Sequence, residues 1–428
     1  MGTGSSSGAS VAGLETALAD LRDIVGAEHL HSSVPKDAID GVFPPTIIEP
    51  GTSEEVAPVL KVATEAGLHV IPRGGATKID WGNPPRGADL IISTRRLNRI
   101  IEHAWADMTA SVEAGCTVGQ FQQTLAEHGQ RLALDPLWPD RATIGGILAT
   151  NDSGPLRIRY GSLRDLVIGV TLALPDGTLA KSGGKVVKNV AGYDLPKLAT
   201  GALGTLGIIT RAIFRLHPIA REIRSLSFSP PDTQAMNAFL LAILDSKLVP
   251  TGLQFRAGSS LPLQVDIRFE GTTAGCDAQC EQILKIAASC SRLEVQDAWA
   301  AAERLWDGAP CVVKFSTLPA ELGALLDRIK KLTDPLHLTC SVVAQAVGVG
   351  FLRLETADIA VFMAVLGELR QSLESRGGSL VLLRCPLQLK REVDVWGSAG
   401  DALPLMKNIK AQFDPTGTLN PGRFIGGI

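Results

Sequence analysis

The residues whose types and spacing best suit ligand binding form a glycine turn that follows a short apolar strand at 68–72. Residues 73–78 read Arg-Gly-Gly-Ala-Thr-Lys. Adjacent glycines let the backbone approach a ligand closely, and consecutive N–H groups can form a concave anion site. The turn has neither the Gly-x-x-x-x-Gly-Lys-Ser/Thr nor the Gly-x-Gly-x-x-Gly pattern of common nucleotide-binding loops. A pyrophosphate group suits such a loop, and a turn without any ligand is the alternative.

Further turn-rich stretches follow in order along the chain. Residues 142–154 read Ala-Thr-Ile-Gly-Gly-Ile-Leu-Ala-Thr-Asn-Asp-Ser-Gly, and 160–165 read Tyr-Gly-Ser-Leu-Arg-Asp. Residues 201–210 read Gly-Ala-Leu-Gly-Thr-Leu-Gly-Ile-Ile-Thr, and 414–423 read Asp-Pro-Thr-Gly-Thr-Leu-Asn-Pro-Gly-Arg. Small residues allow tight or extended backbone beside a bound molecule. For each glycine, a turn with no ligand contact is again the alternative.

Taken together over residues 45–217, these motifs resemble the FAD-binding domain of the vanillyl-alcohol-oxidase-like (PCMH-type) flavoprotein family. The ending at 414–423 is typical of the branch of that family that oxidises 2-hydroxy acids. The resemblance implies that the chain binds FAD. The FAD-binding residues that it implies are Pro72, Arg73, Gly74, Gly75, Ala76, Thr77, Lys78, Thr143, Gly145, Gly146, Asn151, Ser153, Gly154, Tyr160, Gly204, Gly207, Ile208, Ile209, Asn420 and Arg423.

The flavin is expected to be bound non-covalently. Some relatives attach it to a histidine of the first loop or to a nearby cysteine. Here that loop has Ala76, while His69 lies on the preceding strand and Cys116 lies in another segment.

A finer resemblance concerns the flavin-binding E subunits of bacterial glycolate oxidases. It rests on residues 184–195, on Arg304-Leu305-Trp306 and on 413–415. It implies oxidation of glycolate or a similar small 2-hydroxy acid to the 2-oxo acid, in a hetero-oligomer. The implied partners are a catalytic flavoprotein subunit and an iron–sulfur subunit. A self-sufficient 2-hydroxy-acid dehydrogenase and a non-catalytic scaffold subunit are the alternatives.

No catalytic residue can be named from the sequence. Relatives of this branch carry a strand of the type His-x-Gly-Asp-Gly-Asn-x-His that can hold a metal ion, and residues 346–353 are its best match here. They read Ala-Val-Gly-Val-Gly-Phe-Leu-Arg, which can neither ligate a hard cation nor accept a proton, so no metal site is expected. Lys314, Arg353 and Arg384 are candidates for holding a carboxylate, with an ordinary solvated or salt-bridged side chain as the alternative.

Cysteine spacing and charge argue against iron–sulfur clusters in this chain and against nucleic-acid binding. The seven cysteines are scattered and lack the short, repeated spacing of iron–sulfur ligands, so such clusters would belong to a partner. A net charge of −3 without long runs of one sign argues against a nucleic-acid partner. No stretch approaches the roughly 20 apolar residues that cross a bilayer. We expect a cytoplasmic protein that reaches the inner face of the membrane only through partner subunits.

The elements that position these residues predict an α+β fold. Helices are expected at 52–67 and 117–128 and a strand at 109–114, because capping residues and apolar periodicity mark them. We expect an N-terminal tail and helix at 1–40 and a PCMH-type FAD-binding domain of two α/β subdomains at 41–219. A cap domain with an antiparallel β-sheet would occupy 220–397. Residues 398–428 would return to the FAD-binding domain.

Overall fold

The computed structural model describes residues 11–184, 193–259, 261–356 and 358–428. Its α-helices are α1 (Val11–Val25), α2 (Ser53–Glu65), α3 (Val118–Ala126), α4 (Ile144–Thr150), α5 (Arg157–Tyr160), α6 (Leu163–Leu166), α7 (Leu195–Ala199), α8 (Thr233–Leu244), α9 (Thr273–Ile286), α10 (Ala301–Arg304), α11 (Leu322–Thr333), α12 (Ile359–Glu374), α13 (Leu387–Glu392) and α14 (Leu403–Phe413). The strands are β1 (Leu30–Ser32), β2 (Thr46–Ile48), β3 (Val70–Arg73), β4 (Leu90–Ser93), β5 (Ile100–Ala104), β6 (Thr109–Glu113), β7 (Gln130–Arg131), β8 (Val167–Ala173), β9 (Leu179–Gly183), β10 (Ile208–Arg215), β11 (His217–Pro218), β12 (Glu222–Ser229), β13 (Gly252–Gly258), β14 (Leu261–Gly271), β15 (Ser291–Leu293), β16 (Cys311–Ser316), β17 (Thr339–Gln345), β18 (Val349–Glu355) and β19 (Ser379–Arg384).

The first sheet has four strands in the order β1-β2-β4-β3, and β4 pairs in parallel with both β2 and β3. Helix α2 supplies much of the core on this sheet. It begins where the Thr52 hydroxyl accepts a hydrogen bond from the Glu55 N–H, and it is followed by Gly67 at a φ of +68°. A left-handed backbone of this kind suits glycine, which is why the helix ends there. The strand therefore reaches the glycine loop at 73–78 directly, as the sequence predicted.

The second sheet has five antiparallel strands in the order β5-β6-β10-β8-β9. Helices α3 and α4 cover it. Phe121, Ile147 and Phe214 are fully buried between helices and sheet. Burial of such side chains contributes on the order of 1.5–3 kcal/mol each, so this packing fixes α4 against the sheet.

The third sheet has eight strands, all antiparallel, in the order β15-β12-β14-β13-β17-β18-β16-β19. Side chains alternate between its two faces. One face packs under α8, α9, α11 and α12 around residues such as Phe255, Phe315 and Phe362. The other face carries polar side chains and is turned towards the FAD-binding half, since its Arg268 and Gln345 contact Asp135 and Ser153.

The C-terminal residues return to the first sheet. The Val70 N–H donates to the Thr418 carbonyl at 2.8 Å, and the Asn420 N–H donates to the Val70 carbonyl at 2.9 Å. These bonds place Asn420 and Arg423 beside the glycine loop. The α+β fold with an antiparallel cap sheet is therefore confirmed, whereas the residue bounds of the domains remain predictions. Within the described ranges, no helix is long and apolar enough to span a membrane.

Candidate functional site

A narrow cleft of about 70 Å³ lies between the glycine loop, the start of α4 and the C-terminal segment. It brings together eleven of the predicted FAD-binding residues although they come from three distant parts of the chain. Those in its walls are Pro72, Arg73, Gly74, Gly75, Ala76, Thr77, Lys78, Thr143, Gly146, Asn420 and Arg423. Ile79, Ala149, Thr150 and Leu203 complete the lining, and the sequence analysis did not name them.

The two loop glycines are required by the protein itself. A Cβ on Gly74 would overlap the Thr143 hydroxyl, and one on Gly75 would overlap the Arg141 carbonyl. Thr143 joins the loop to α4, because its hydroxyl accepts hydrogen bonds from Gly75 N at 3.4 Å and from Gly146 N at 3.3 Å. These glycines are therefore needed for the packing of the turn, and this need is compatible with the predicted role of the loop in ligand binding.

The C-terminal segment adds a buried cation to the cleft. Asn420, at a φ of +46°, donates from Nδ2 to the Leu203 carbonyl and accepts from Arg423 Nη1 at 3.2 Å. The Arg423 guanidinium donates to the Trp81 carbonyl at 2.7 Å, and its Nε has no hydrogen-bond partner among the described residues. Burial lowers the pKa of Arg423 to about 10, so it is still protonated at neutral pH. A loop of backbone N–H groups beside a buried guanidinium fits a pyrophosphate.

Lys78 turns away from this cleft towards a second cavity. Its ammonium lies 3.0 Å from the Asp152 carboxylate, and both side chains are about 95% buried. It also donates to the Leu137 carbonyl at 3.3 Å and lies 5.3 Å from the centre of the Trp138 ring. The ion pair forms part of the wall between the two cavities, since Lys78 lines the cleft and Asp152 lines the larger space.

The larger cavity has a volume of about 500 Å³ and lies between the FAD-binding half and the cap sheet. Its size is that of a small-molecule site. The predicted residues Ser153 and Gly154 lie in its wall. The polar residues that sequence reasoning missed are Gln122, Gln123, Asp135, Asp140, Asp152, Gln254, Arg268, Glu303 and Gln345.

Asp135 and Arg268 form an ion pair in the wall of this cavity. Arg268 Nη2 lies 3.4 Å from Asp135 Oδ2, and both Asp135 carboxylate oxygens accept from the Leu156 N–H at 3.2 Å. Burial raises the pKa of Asp135 to about 6 against the opposing effect of the Arg268 charge. Gly154 makes room for this carboxyl, because a Cβ there would overlap the Asp135 carbonyl and side chain.

Several predicted residues line neither cavity. Gly204 is adjacent to the cleft, as a Cβ there would lie 3.4 Å from Asn420 Nδ2. The Tyr160 hydroxyl instead accepts from Arg131 at 3.0 Å. The others are held in the FAD-binding half by strand, helix or turn geometry: Gly145, Asn151, Gly207, Ile208 and Ile209. Their roles stay predictions. Residues 185–192 of the stretch at 184–195 lie outside the described residues.

The three candidate cations of the cap differ in their surroundings. Arg353 donates to the Leu305 and Asp307 carbonyls, and Arg384 donates to the Trp306 carbonyl at 2.9 Å. These contacts support the turn around Trp306. Lys314 has no hydrogen bond or ion pair with any described residue, and burial lowers its pKa while the nearby Asp152 opposes that shift. Lys314 is therefore the candidate with a free donor.

The strand predicted at 346–353 forms a turn and most of β18. Ala346 is buried in the cap core, whereas Val349 and Phe351 line the large cavity. The element is present with an apolar surface. Among the residues whose positions are described, no group of three His, Cys, Asp or Glu side chains is placed to hold a metal ion.

Residues 44–183 match the family described as "FAD binding domain", and 397–424 match "FAD linked oxidases, C-terminal domain". The chain is 32% identical over 213 residues to "Glycolate oxidase subunit GlcD" of Bacillus subtilis, which covers 50% of this chain and 45% of that protein. It is 34% identical over 210 residues to "D-lactate dehydrogenase" of Archaeoglobus fulgidus, covering 49% of this chain and 46% of that protein. The chain thus spans less than half the length of these two relatives. A match of 28% over 425 residues to the mitochondrial "D-lactate dehydrogenase [cytochrome]" of Arabidopsis thaliana covers 90% of this chain and 74% of that protein.

Solved structures share the fold. p-Cresol methylhydroxylase with substrate bound superposes with a TM-score of 0.76 at 16% identity, covering 97% of each chain. Alkyldihydroxyacetonephosphate synthase gives 0.74 at 19% identity, covering 96% of this chain and 86% of that one. The two matched family segments contain the loop, α4 and the C-terminal residues that meet at the cleft. FAD is the cofactor, and two segments of the chain match the families of FAD-binding and FAD-linked oxidase domains.

Proposed function

We propose that the chain is an FAD-dependent oxidoreductase that oxidises a small 2-hydroxy acid to the 2-oxo acid. The observation that carries this proposal is the position of the 500 Å³ cavity, which adjoins the cleft of the FAD-binding loop and presents the Arg268 guanidinium. A guanidinium pairs with a carboxylate in a fixed geometry. The names of the relatives, which include D-lactate dehydrogenases and a glycolate oxidase subunit, point to the same substrate class.

The chain's own residues divide the work between binding and enclosure. The loop 73–78 would hold the FAD pyrophosphate through backbone N–H groups, with Thr143 fixing the loop and Arg423 adding positive charge. Bound FAD supplies the two-electron acceptor. The cap sheet closes the other side with Val343, Val349 and Phe351, which keep water from the reacting carbon.

The finer proposal is that this chain is the FAD-binding subunit of a glycolate oxidase complex. Its partners would be a catalytic flavoprotein subunit and an iron–sulfur subunit. Two facts support this: the similarity to a glycolate oxidase subunit, and free cysteines that are spread over the described fold and not clustered. Electrons would leave through the iron–sulfur partner in the cytoplasm or at the inner face of the membrane.

The test separates the half-reaction from turnover. The FAD-loaded chain is mixed anaerobically with glycolate or D-lactate, and loss of visible flavin absorption is followed. The proposal predicts reduction of about one FAD per chain, with sustained turnover only after the partner subunits are added. A flavin that stays oxidised with every 2-hydroxy acid tested, alone and in the complex, would favour the scaffold. Rapid turnover without partners would favour a self-sufficient dehydrogenase.

A further inference from the structure

Asp135 is built into the large cavity by three separate elements. Its backbone belongs to the segment between β7 and α4, its carboxylate accepts from the Leu156 N–H just before α5, and Arg268 approaches from β14 of the cap sheet. The carboxyl keeps about 30% of its surface exposed, whereas the Arg268 side chain keeps 14%. The oxygen atoms are thus fixed in direction but open to the cavity.

Among the described residues, the charged groups around Asp135 are three cations and four further carboxylates. Arg268 also lies 3.5 Å from Glu270 of β14, which in turn binds Arg131 of β7. On the FAD-binding side, Asp152 is neutralised by Lys78, and Asp140 lies at the cavity edge. Glu303 of α10 lies at the rim of the cap side. Arg268 is therefore the cation that faces Asp135 directly, and a second carboxylate in the cavity would compete with Asp135 for it.

Two buried amide side chains of the cap sheet, Gln254 and Gln345, also belong to the cavity wall. Gln254 Nε2 donates to Asp266 and to the Ala298 carbonyl, which can only accept, so the orientation of this amide is settled. Its Oε1 has no donor among the described residues although the side chain is fully buried. Gln345 donates to the Ser153 carbonyl, and its Oε1 is likewise without a donor at 8% exposure.

We propose that Arg268 binds the carboxylate of the 2-hydroxy acid and that Asp135 accepts the proton of its hydroxyl group. This rests on the proposed function and adds the base that residues 346–353 lack. The hydroxyl O–H bond breaks and its proton moves to Asp135. Bound FAD would supply the two-electron acceptor, so the hydrogen on the same carbon would leave with its electron pair as hydride while the C–O bond becomes a carbonyl. The proton on Asp135 would later be released to solvent.

The position of Asp135 suits this role for a physical reason. A proton acceptor works best when its pKa lies near the working pH. Burial in the cavity brings the pKa of Asp135 to about 6. Substrate binding draws Arg268 towards a new carboxylate, which weakens its hold on the Asp135 charge and makes this carboxyl a better base.

The first experiment measures flavin reduction in the FAD-loaded full chain with Asp135→Asn. Asparagine keeps the acceptor for Leu156 N–H but cannot take a proton. We expect the rate constant of flavin reduction by glycolate to fall about 10²–10⁴-fold, the usual contribution of a positioned base. In the unsubstituted protein the rate should fall as the pH drops below about 6, and this acid limb should disappear in the variant. Asp245→Asn, the same change at an exposed helix end of the cap, is the matched control and should leave rate and pH profile unchanged.

The second experiment measures binding without any reaction, by calorimetric titration with oxalate. Arg268→Gln should weaken oxalate binding about 10- to 100-fold, because a charge-assisted hydrogen bond is lost. In the unsubstituted protein oxalate should bind more tightly below about pH 6, since protonated Asp135 no longer competes for Arg268. Asp135→Asn should bind oxalate tightly at every pH, which a purely structural role of Asp135 does not predict.

The outcomes separate this inference from the proposed function. If glycolate and D-lactate reduce the flavin but Asp135→Asn behaves like the unsubstituted protein in rate and pH profile, Asp135 is not the base and only this inference fails. Oxalate binding that is unaffected by Arg268→Gln would likewise remove Arg268 from the site. If no 2-hydroxy acid reduces the bound flavin and oxalate does not bind, the proposed function itself is wrong.

Discussion

Lys78 and Asp152 form an ion pair that is almost completely buried between the cleft and the cavity. A buried pair contributes modestly to stability as a whole, but removing one partner strands the other charge in a poor solvent. Trp138 and Trp81 near the ammonium cannot replace the carboxylate, although their rings offer cation–π contacts. This ion pair therefore stabilises the wall between the cleft and the cavity.

We predict that Asp152→Asn lowers the free energy of unfolding by about 3–5 kcal/mol. Asparagine still accepts the Leu137 N–H but leaves the Lys78 charge uncompensated. Urea unfolding of the FAD-free chain at neutral pH measures the difference. Glu65→Gln is the control, because its pair with Lys61 is exposed on both sides and should contribute at most about 0.5 kcal/mol. Similar small losses for both variants would show that Lys78 is better solvated than its burial indicates.

Asp135 makes a second residue-scale prediction, on stability as a function of pH. Its pKa is raised from 3.8 to about 6 by burial, so the folded protein binds this proton more tightly than the unfolded chain. The resulting stabilisation is complete below pH 3.8 and is lost as the pH rises through about 6. Asp135→Asn should therefore raise Tm above that of the unsubstituted protein at pH 7.5, with the gap closing towards pH 4. A lower Tm at pH 7.5 would mean that the Arg268 contact outweighs the burial of the charge.

At the scale of elements, α4 and the glycine loop form one unit through Thr143. Gly75 is a poor place to test that unit, because any side chain there would strike the Arg141 carbonyl even without FAD. Gly146 is better suited. A Cβ on it would meet only the Thr143 hydroxyl, at 3.2 Å, and the residue faces the cleft from the first turn of α4.

We predict that Gly146→Leu abolishes FAD retention while the chain still folds. The side chain would fill a cleft of about 70 Å³, and replacing glycine within a helix favours the helix by up to about 1 kcal/mol. The FAD content of the purified protein is measured together with its far-UV circular dichroism. Gly367→Leu makes the same change in the exposed face of α12, where a Cβ meets nothing within 4 Å, and should retain FAD. Normal FAD content in Gly146→Leu would place the cofactor elsewhere.

The elements that sequence analysis predicted well are those with local signals. Thr52 and Gly67 bound α2, Thr117 starts α3, and the loop at 73–78 follows its strand as expected. Capping and turn chemistry act within a few residues, so the sequence carries them directly. The contacts of a long polar side chain are not marked by such local signals. Nothing near Tyr160 in sequence indicates that its hydroxyl meets Arg131.

At the scale of the whole molecule, the part of the site that sequence analysis missed is the part formed by distant segments. Asp135 and Arg268 are 133 residues apart, and Gln345 lies 192 residues from its partner Ser153. The strand order of the cap sheet places Arg268 and Gln345 on the face turned towards the FAD-binding half, and hydrophobic periodicity does not predict strand order. The pyrophosphate side was predictable because a family resemblance covers it, whereas the cap wall follows from how two sheets meet.

The last prediction concerns how the flavin is attached, and it depends on the residues that line both the cleft and the cavity. We expect acid precipitation to release the yellow chromophore as free FAD. Covalent attachment needs a nucleophilic side chain at the flavin, and the described residues that line the cleft and the cavity include no histidine, cysteine or tyrosine. Cys116 is fully buried, and burial raises its pKa to about 11, so at neutral pH its thiol is neutral and a weak nucleophile. The supernatant after precipitation is analysed by chromatography against authentic FAD. Yellow colour that stays with the pellet and follows a peptide after proteolysis would show a bond to the chain, and that peptide would locate it.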